Sequence, residues 1–174
     1  MRHAFFELAI RTVLENEGGL TTDHAGVTNY GITIPVIREA CLDVDGDGDI
    51  DADDIKGLSE EQAIQLYFDR FWVPAKLCNL TNATVAEKTF DCVVNMGIRQ
   101  GVKILQRACR ACGLPLVEDG ILGRKTAEAA NSMTALSLFC AMRSEQAGFY
   151  RVLATKNRSK YGRFLKGWLA RAYR

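Results

Sequence analysis

The chain has 174 residues, 48% of them hydrophobic and 25% charged, with 15 Gly, 3 Pro and 6 Cys. These values exclude a disordered or fibrous chain and suit one domain, or one domain with a sub-domain. The net charge of +1 hides an asymmetry: seven Asp lie between positions 43 and 54, so the rest of the chain carries +8.

In chain order, residues 3–17 read as an amphipathic helix, with Phe6, Ile10, Val13 and Leu14 on helical spacing. Gly18-Gly19 stops it, because glycine readily takes the left-handed conformation of a helix end. Residues 20–34, with Gly26, Asn29 and Gly31 among Thr, Val, Tyr and Ile, carry turn and short-strand chemistry. A short helix opened by Pro35 follows over 35–42, then an acidic loop over 43–54. Ser59 with Gln62 forms a capping box that opens a helix through Ile64, Leu66, Tyr67 and Phe68. Residues 83–96 and 99–112 predict two helices broken at Gly97, and 114–123 a turn-rich connection. Residues 126–156 are helical in period, and Phe164, Leu165, Trp168, Leu169 and Ala172 mark an amphipathic terminal helix. The pattern is mainly α with one small N-terminal β-hairpin. No apolar run approaches the ~20 residues that span a bilayer, so membrane insertion is not expected. The first residues, interrupted by Glu7 and Arg11, lack the pattern of a cleavable leader, and synthesis in the cytoplasm is the expectation.

Glu17 follows Phe6, Ile10 and Val13 by steps of four, three and four, which puts it on the apolar face at the helix C-terminus. Removal from water and the negative end of the helix both favour the neutral acid, the form that a glycosidase uses to protonate a leaving oxygen. The same spacing fits an ordinary glutamate at a helix end. A second polar partner is available in Asp23, Thr28 or Thr33; Asp23 could activate water or could cap its own turn. Tyr30 reads as a sugar-stacking ring or as a strand aromatic. Asp91 and Asn95, four apart, share a helix face, where Asn95 could hydrogen-bond substrate or close the helix end beside Gly97. Trp72 and Trp168 read as core.

The acidic run matches a calcium loop. Ligands are expected at its positions one, three, five, seven, nine and twelve, which are Asp43, Asp45, Asp47, the Asp49 carbonyl, Asp51 and Asp54. Gly48 supplies the turn and Ile50 the apolar anchor. Without a cation, seven Asp would repel one another, so a structural Ca2+ is expected; position twelve is Asp rather than Glu. The six cysteines read as buried free thiols rather than as a disulfide framework or a zinc site.

Several segments together resemble glycoside hydrolase family 108. Glu17-Gly18-Gly19-Leu20, then Asp23 and Thr28-Asn29-Tyr30-Gly31-Ile32-Thr33, are similar to its Glu-Gly-Gly-Tyr motif, with Leu20 where the family has tyrosine. Phe90-Asp91-Cys92-Val93-Val94-Asn95-Met96-Gly97 is similar to its Asp-x-x-x-Asn-x-Gly segment. Leu105-Gln106 with Asp119 to Thr126 resembles its peptidoglycan-binding region, and Phe164 to Arg171 its terminal motif. The resemblance implies an α+β lysozyme-like fold, with residues 1–80 a catalytic part carrying the 43–54 insertion and 81–174 a helical, peptidoglycan-binding-like part. It implies a muramidase acting on peptidoglycan glycan strands, with Glu17 as the acid. The Glu–Asp–Thr arrangement of phage-type lysozymes would fall on Glu17, Asp23 and Thr28. A monomer that reaches the wall by holin-type release or specialised export is expected. Two other readings are a calcium-dependent binding or sensor module, for which one loop is too few, and a catalytically silent wall-binding or secretion-accessory protein. Nucleic-acid binding rests on the basic tail alone and is not expected.

Overall fold

Apolar residues on a helical period build α1 (Ala4–Glu17), whose Phe6, Ala9, Ile10 and Val13 are all buried. The structure, a computed structural model, describes residues 4–23 and 26–174, apart from the side chains of Asn16 and Asp23. The chain divides into two compact units, residues 1–72 and 73–174.

In the first unit Gly18, at φ +74°, ends α1 with its N–H on the Leu14 carbonyl at 3.0 Å. Three antiparallel strands follow in the order β1 (Thr21–Asp23), β2 (Gly26–Asn29), β3 (Ile32–Thr33). Tyr30 and Gly31 join β2 to β3, both with positive φ (51° and 73°), as a two-residue primed hairpin turn requires. Asn29 lies opposite Ile32 and both are buried. Thr21, Thr28 and Thr33 form the neighbouring row, Thr21 opposite Thr28 and Thr28 opposite Thr33.

After α2 (Ile34–Glu39), with Pro35 in its first turn, the acidic run is a loop only as far as Asp51. There α3 (Ala52–Gly57) begins, three residues earlier than a loop over 43–54 would allow. The reason is a capping box: the Asp51 side chain accepts from the helix backbone and the Asp54 carboxylate accepts from Asp51 N at 2.7 Å. The expected Ser59–Gln62 box opens α4 (Glu60–Tyr67), which runs into a π-helical turn at Phe68–Trp72. Phe6 packs edge-on against Phe68 and Trp72, ring centroids 5.0 and 5.4 Å apart. Burial of each such large side chain contributes roughly 1.5–3 kcal/mol.

The second unit is helical throughout its described elements. Gly97, at φ +84°, separates α5 (Ala83–Met96) from α6 (Ile98–Ala111). The two cross closely at Gly101, where an added Cβ would lie 2.5 Å from the Val93 nitrogen. The period over 126–156 predicts one helix, but two form, α7 (Arg124–Ser132) and α8 (Ala135–Lys156). Thr134 is extended and accepts from the Ser137 N–H; this cap wins over the continuing pattern. Then come α9 (Arg158–Tyr161), a 3-10 turn at Gly162–Phe164 and α10 (Leu165–Ala172). Trp72 is core as expected, whereas Trp168 is only partly buried, stacked on Tyr150 at 5.1 Å. All six cysteines are free. Cys92 and Cys109 are buried as expected, but Cys112 is only partly buried and Cys41, Cys78 and Cys140 are exposed.

Candidate active site

The Glu17 carboxyl is carried by the last residue of α1, and the helix end delivers it to the hairpin turn. A Cβ added to Gly31 would lie 2.9 Å from the Glu17 Cβ and 2.9 Å from the Tyr67 hydroxyl oxygen. The missing side chain of Gly31 therefore lets the acid's stem pack on the turn backbone. Tyr67, buried in α4, donates from its hydroxyl to the Tyr30 carbonyl at 2.9 Å. The turn is thus held from behind by α4 while the partly exposed Glu17 lies beside it.

The sheet presents two chemically different faces, as alternation along a strand demands. On one face Asn29 is buried, and its amide donates to the Ile55 and Leu58 carbonyls at 3.1 and 3.2 Å, which ties the hairpin to α3. On the other face stands the threonine row, where the Thr21 and Thr28 hydroxyls share a hydrogen bond of 2.7 Å. Of the residues singled out from the sequence, Glu17 and the Tyr30-Gly31 turn are brought together, and Thr28 stands on the same small sheet. Asp23 ends β1 opposite Gly26; its side chain lies outside the described residues.

The acidic loop is wound around its own carboxylates. Asp43 accepts from Gly46 N at 2.6 Å and Gly48 N at 3.0 Å, and Asp47 accepts from Asp49 N at 3.0 Å. Buried Asp54 accepts from Val44 N at 2.5 Å and from Asp51 N, and these bonds hold its carboxyl below the usual range. The charges of Asp47 and Asp51 push the Asp49 carboxyl up. Carboxylate oxygens of Asp43, Asp45 and Asp47 fall within 4.8 Å of one another, as do those of Asp49, Asp51 and Asp54. Arg38 on α2 donates to the Ile50 carbonyl at 2.9 Å. The C-terminal side of the loop is therefore anchored twice, to α2 by Arg38 at Ile50 and through α3 to the hairpin by Asn29.

In the second unit Asp91 and Asn95 meet groups that account for them structurally. Asp91, buried, accepts from Arg171 Nε at 2.7 Å and Gln146 Nε2 at 3.2 Å, with Lys88 Nζ 3.8 Å away. Lys88 also donates to the Arg171 and Ala172 carbonyls, so this cluster fastens α10 to α5. Burial pushes the Lys88 ammonium down. Asn95 accepts from the Tyr150 hydroxyl at 2.5 Å; burial raises that phenol to about 12, which keeps it a donor. Gln106, also buried, joins Asp119, Ile121, Thr126 and Gly120 into one knot that fixes the 114–123 connection. Tyr67 and Asn29 escaped the sequence reading. Tyr67 sits on a helical period like any core aromatic, and Asn29 is a polar residue in a strand whose partners lie 26 and 29 residues away.

A family model described as "Glycosyl hydrolase 108" matches residues 10–97, and one described as "Predicted Peptidoglycan domain" matches residues 100–173. Among solved structures, "Structure of Brucella abortus SagA" superposes with a TM-score of 0.75 at 24% sequence identity, over 97% of this chain and 89% of that chain. No curated protein matches. The mainly helical fold with its small sheet is of the α+β lysozyme-like kind.

Proposed function

This chain belongs to the glycosyl hydrolase 108 family and is a peptidoglycan hydrolase, and from that premise we propose that it is an N-acetylmuramidase whose general acid is Glu17. The observation that carries the assignment is the Glu17 stem packed on Gly31 at the mouth of a turn that Tyr67 holds in place. In the proposed reaction Glu17 protonates the oxygen between N-acetylmuramic acid and N-acetylglucosamine as the bond to the sugar carbon breaks. Positive charge develops on the ring that is left, and water completes the hydrolysis. Asp23 is the proposed second carboxylate, steering or activating that water, and Thr28, on the open face of the sheet, its hydroxyl helper. Tyr30 stacks on a sugar ring, and the amide of Asn95 binds the glycan strand. The enzyme works as a monomer and reaches the wall by holin-type release or specialised export. A catalytically silent wall-binding or secretion-accessory protein is the second reading.

The acidic loop is proposed to hold a structural Ca2+ through Asp43, Asp45, Asp47, Asp49, Asp51 and Asp54. The donor set fits: oxygen atoms only, in two groups each within 4.8 Å, as a hard divalent cation requires. The ion would neutralise the loop, and Asn29 would pass that order to the hairpin.

Wild type and Glu17→Gln, incubated with purified peptidoglycan and analysed by mass spectrometry, test the assignment. Muropeptides with a new muramic acid reducing end, lost at least ~10³-fold in Glu17→Gln, are expected. Cleavage that survives the substitution removes Glu17 from the mechanism, and a folded, calcium-loaded wild type that cleaves no wall type supports the silent reading.

A further inference from the structure

After Glu145 the remaining 29 residues contain eight Lys and Arg and no Asp or Glu. Before it in the second unit, Lys103, Arg107 and Arg110 converge on Glu118, Lys88 pairs with Asp91 and Arg124 with Glu128, and of the tail itself Arg171 meets Asp91. Of the tail's other seven cations four, Arg158, Lys160, Arg163 and Lys166, lie on α9, the 3-10 turn and α10. There they are interleaved with rings. Phe164 and Tyr161 lie 5.7 and 5.9 Å from Trp168, which stacks in turn on buried Tyr150. Lys160 Nζ stands 5.1 Å from the Tyr161 ring centre and Arg163 Cζ 4.6 Å from that of Phe164. Arg158 lies against Gly162 in the same turn. The three cations are exposed, and Phe164 is 42% exposed.

A ladder of rings edged by exposed cations complements a polymer that alternates sugar faces with carboxylates. Sugar C–H faces lie well on aromatic rings, while Arg and Lys pair with carboxylates. We propose that Tyr161, Phe164 and Trp168, with Arg158, Lys160 and Arg163, form the wall-docking face of this protein, and that its ligand is a peptidoglycan glycan strand with its stem-peptide carboxylates. The proposal rests on the peptidoglycan reading and assigns the face that holds the wall while the first unit cuts it. Peptidoglycan is favoured over other polyanions because the segment lies within the region matched to a peptidoglycan domain.

The test is co-sedimentation of the full chain with purified insoluble sacculi. Wild type, the triple change Arg158→Glu, Lys160→Glu and Arg163→Glu, and Phe164→Ser are compared, each checked by thermal melting. The triple change is expected to weaken binding at least ~10-fold, because it reverses three charges at once. Wild type on sacculi with amidated carboxylates should bind as weakly as the triple variant on native ones. Phe164→Ser should lose several-fold while keeping the salt dependence. If the triple variant melts early, Lys160→Gln with Arg163→Gln replaces it and should lose about half the effect. Unchanged binding by the charge variants, or indifference to amidation, overturns the proposal. So does tighter binding to phosphatidylglycerol vesicles or duplex DNA than to sacculi, which would make the face one for lipid or nucleic acid. Binding through this face with no release of reducing ends would sink the hydrolase reading and leave the docking face standing. Release of reducing ends with charge-independent binding would do the reverse.

Discussion

The Tyr67 hydroxyl donates to the Tyr30 carbonyl across 37 residues of sequence, at 2.9 Å. The acceptor belongs to a non-glycine residue at φ 51°, a conformation that costs of order 1 kcal/mol and persists only where the surroundings hold it. One hydrogen bond of this kind is worth about 1 kcal/mol net. Tyr67→Phe should therefore lower stability by about 1 kcal/mol, read by urea unfolding. It should lower kcat far more than it changes KM, since the turn sets the surroundings of Glu17 rather than a distant subsite. Equal activity in the two proteins would reduce Tyr67 to a packing role.

Gly31 tests the same turn from the other side. Its φ of +73° and the 2.9 Å approaches to Glu17 and Tyr67 leave no room for a methyl group. Gly31→Ala should cost about 1–3 kcal/mol and displace the acid, so hydrolysis should fall by more than the folded fraction falls. A melting curve alongside the rate separates the two effects. Gly97→Ala is the control: it is strained by φ +84° but has nothing within 4 Å of the added methyl.

Calcium should act on stability through the same hairpin. At a calcium concentration a hundred times Kd, mass action adds about 2.7 kcal/mol to whatever unfolds with the loop. Melting with calcium and with a chelator should show that shift in wild type. In Asn29→Ala, which cuts the bonds to Ile55 and Leu58, the loop should still bind the ion while the effect of the ion on hydrolysis shrinks. A wild-type melt that ignores calcium would remove the metal from the account.

Much of this was legible in the sequence because the signals are local. The step of Glu17 from the apolar residues of α1, the Gly18 stop, the Ser59–Gln62 box and the glycine breaks need only near neighbours, and each is read from spacing. The Thr134 cap was missed because a helical period runs straight through it, and one hydroxyl decides the break. The start of α3 is not legible because Asp51 and Asp54 read from the sequence as metal ligands, and the capping pair they form shows only in the structure. Tyr67, Asn29 and the clasp on Asp91 could not be read at all, since their partners lie 37, 26 to 29, and 55 to 80 residues away. Long-range polar bonds leave no periodic trace in a single chain.

The clasp predicts a large stability effect at Asp91, one turn of helix before the Asn95 that the sequence offered to substrate. Asp91 is buried with Arg171, Gln146 and Lys88 around it. Asp91→Ala leaves two cations without a counter-charge, at a cost of about 3–5 kcal/mol, and should loosen α10. Hydrogen exchange over 165–172 should rise sharply, while Asn95→Ala leaves it near wild type. An Asp91→Ala protein with native stability and native protection of α10 would show that the cluster does not hold that helix.

Glu118 supplies the contrast at the surface and fixes a pH window. The Arg107 guanidinium, helped by Lys103 and Arg110, holds its carboxyl below the ordinary glutamate value of 4.5. A carboxyl depressed in the folded state binds its proton more readily when unfolded. Its contribution is therefore complete above pH 4.5 and is lost as the pH falls through the lower, folded value. The three cations around it are partly exposed and screened by salt, so the effect is small and shrinks as ionic strength rises. Glu118→Gln should melt earlier than wild type at pH 6–7, and the gap should close on acidification below 4.5. A gap of constant size down to pH 3 would mean that packing of the side chain, not its charge, is what α6 loses.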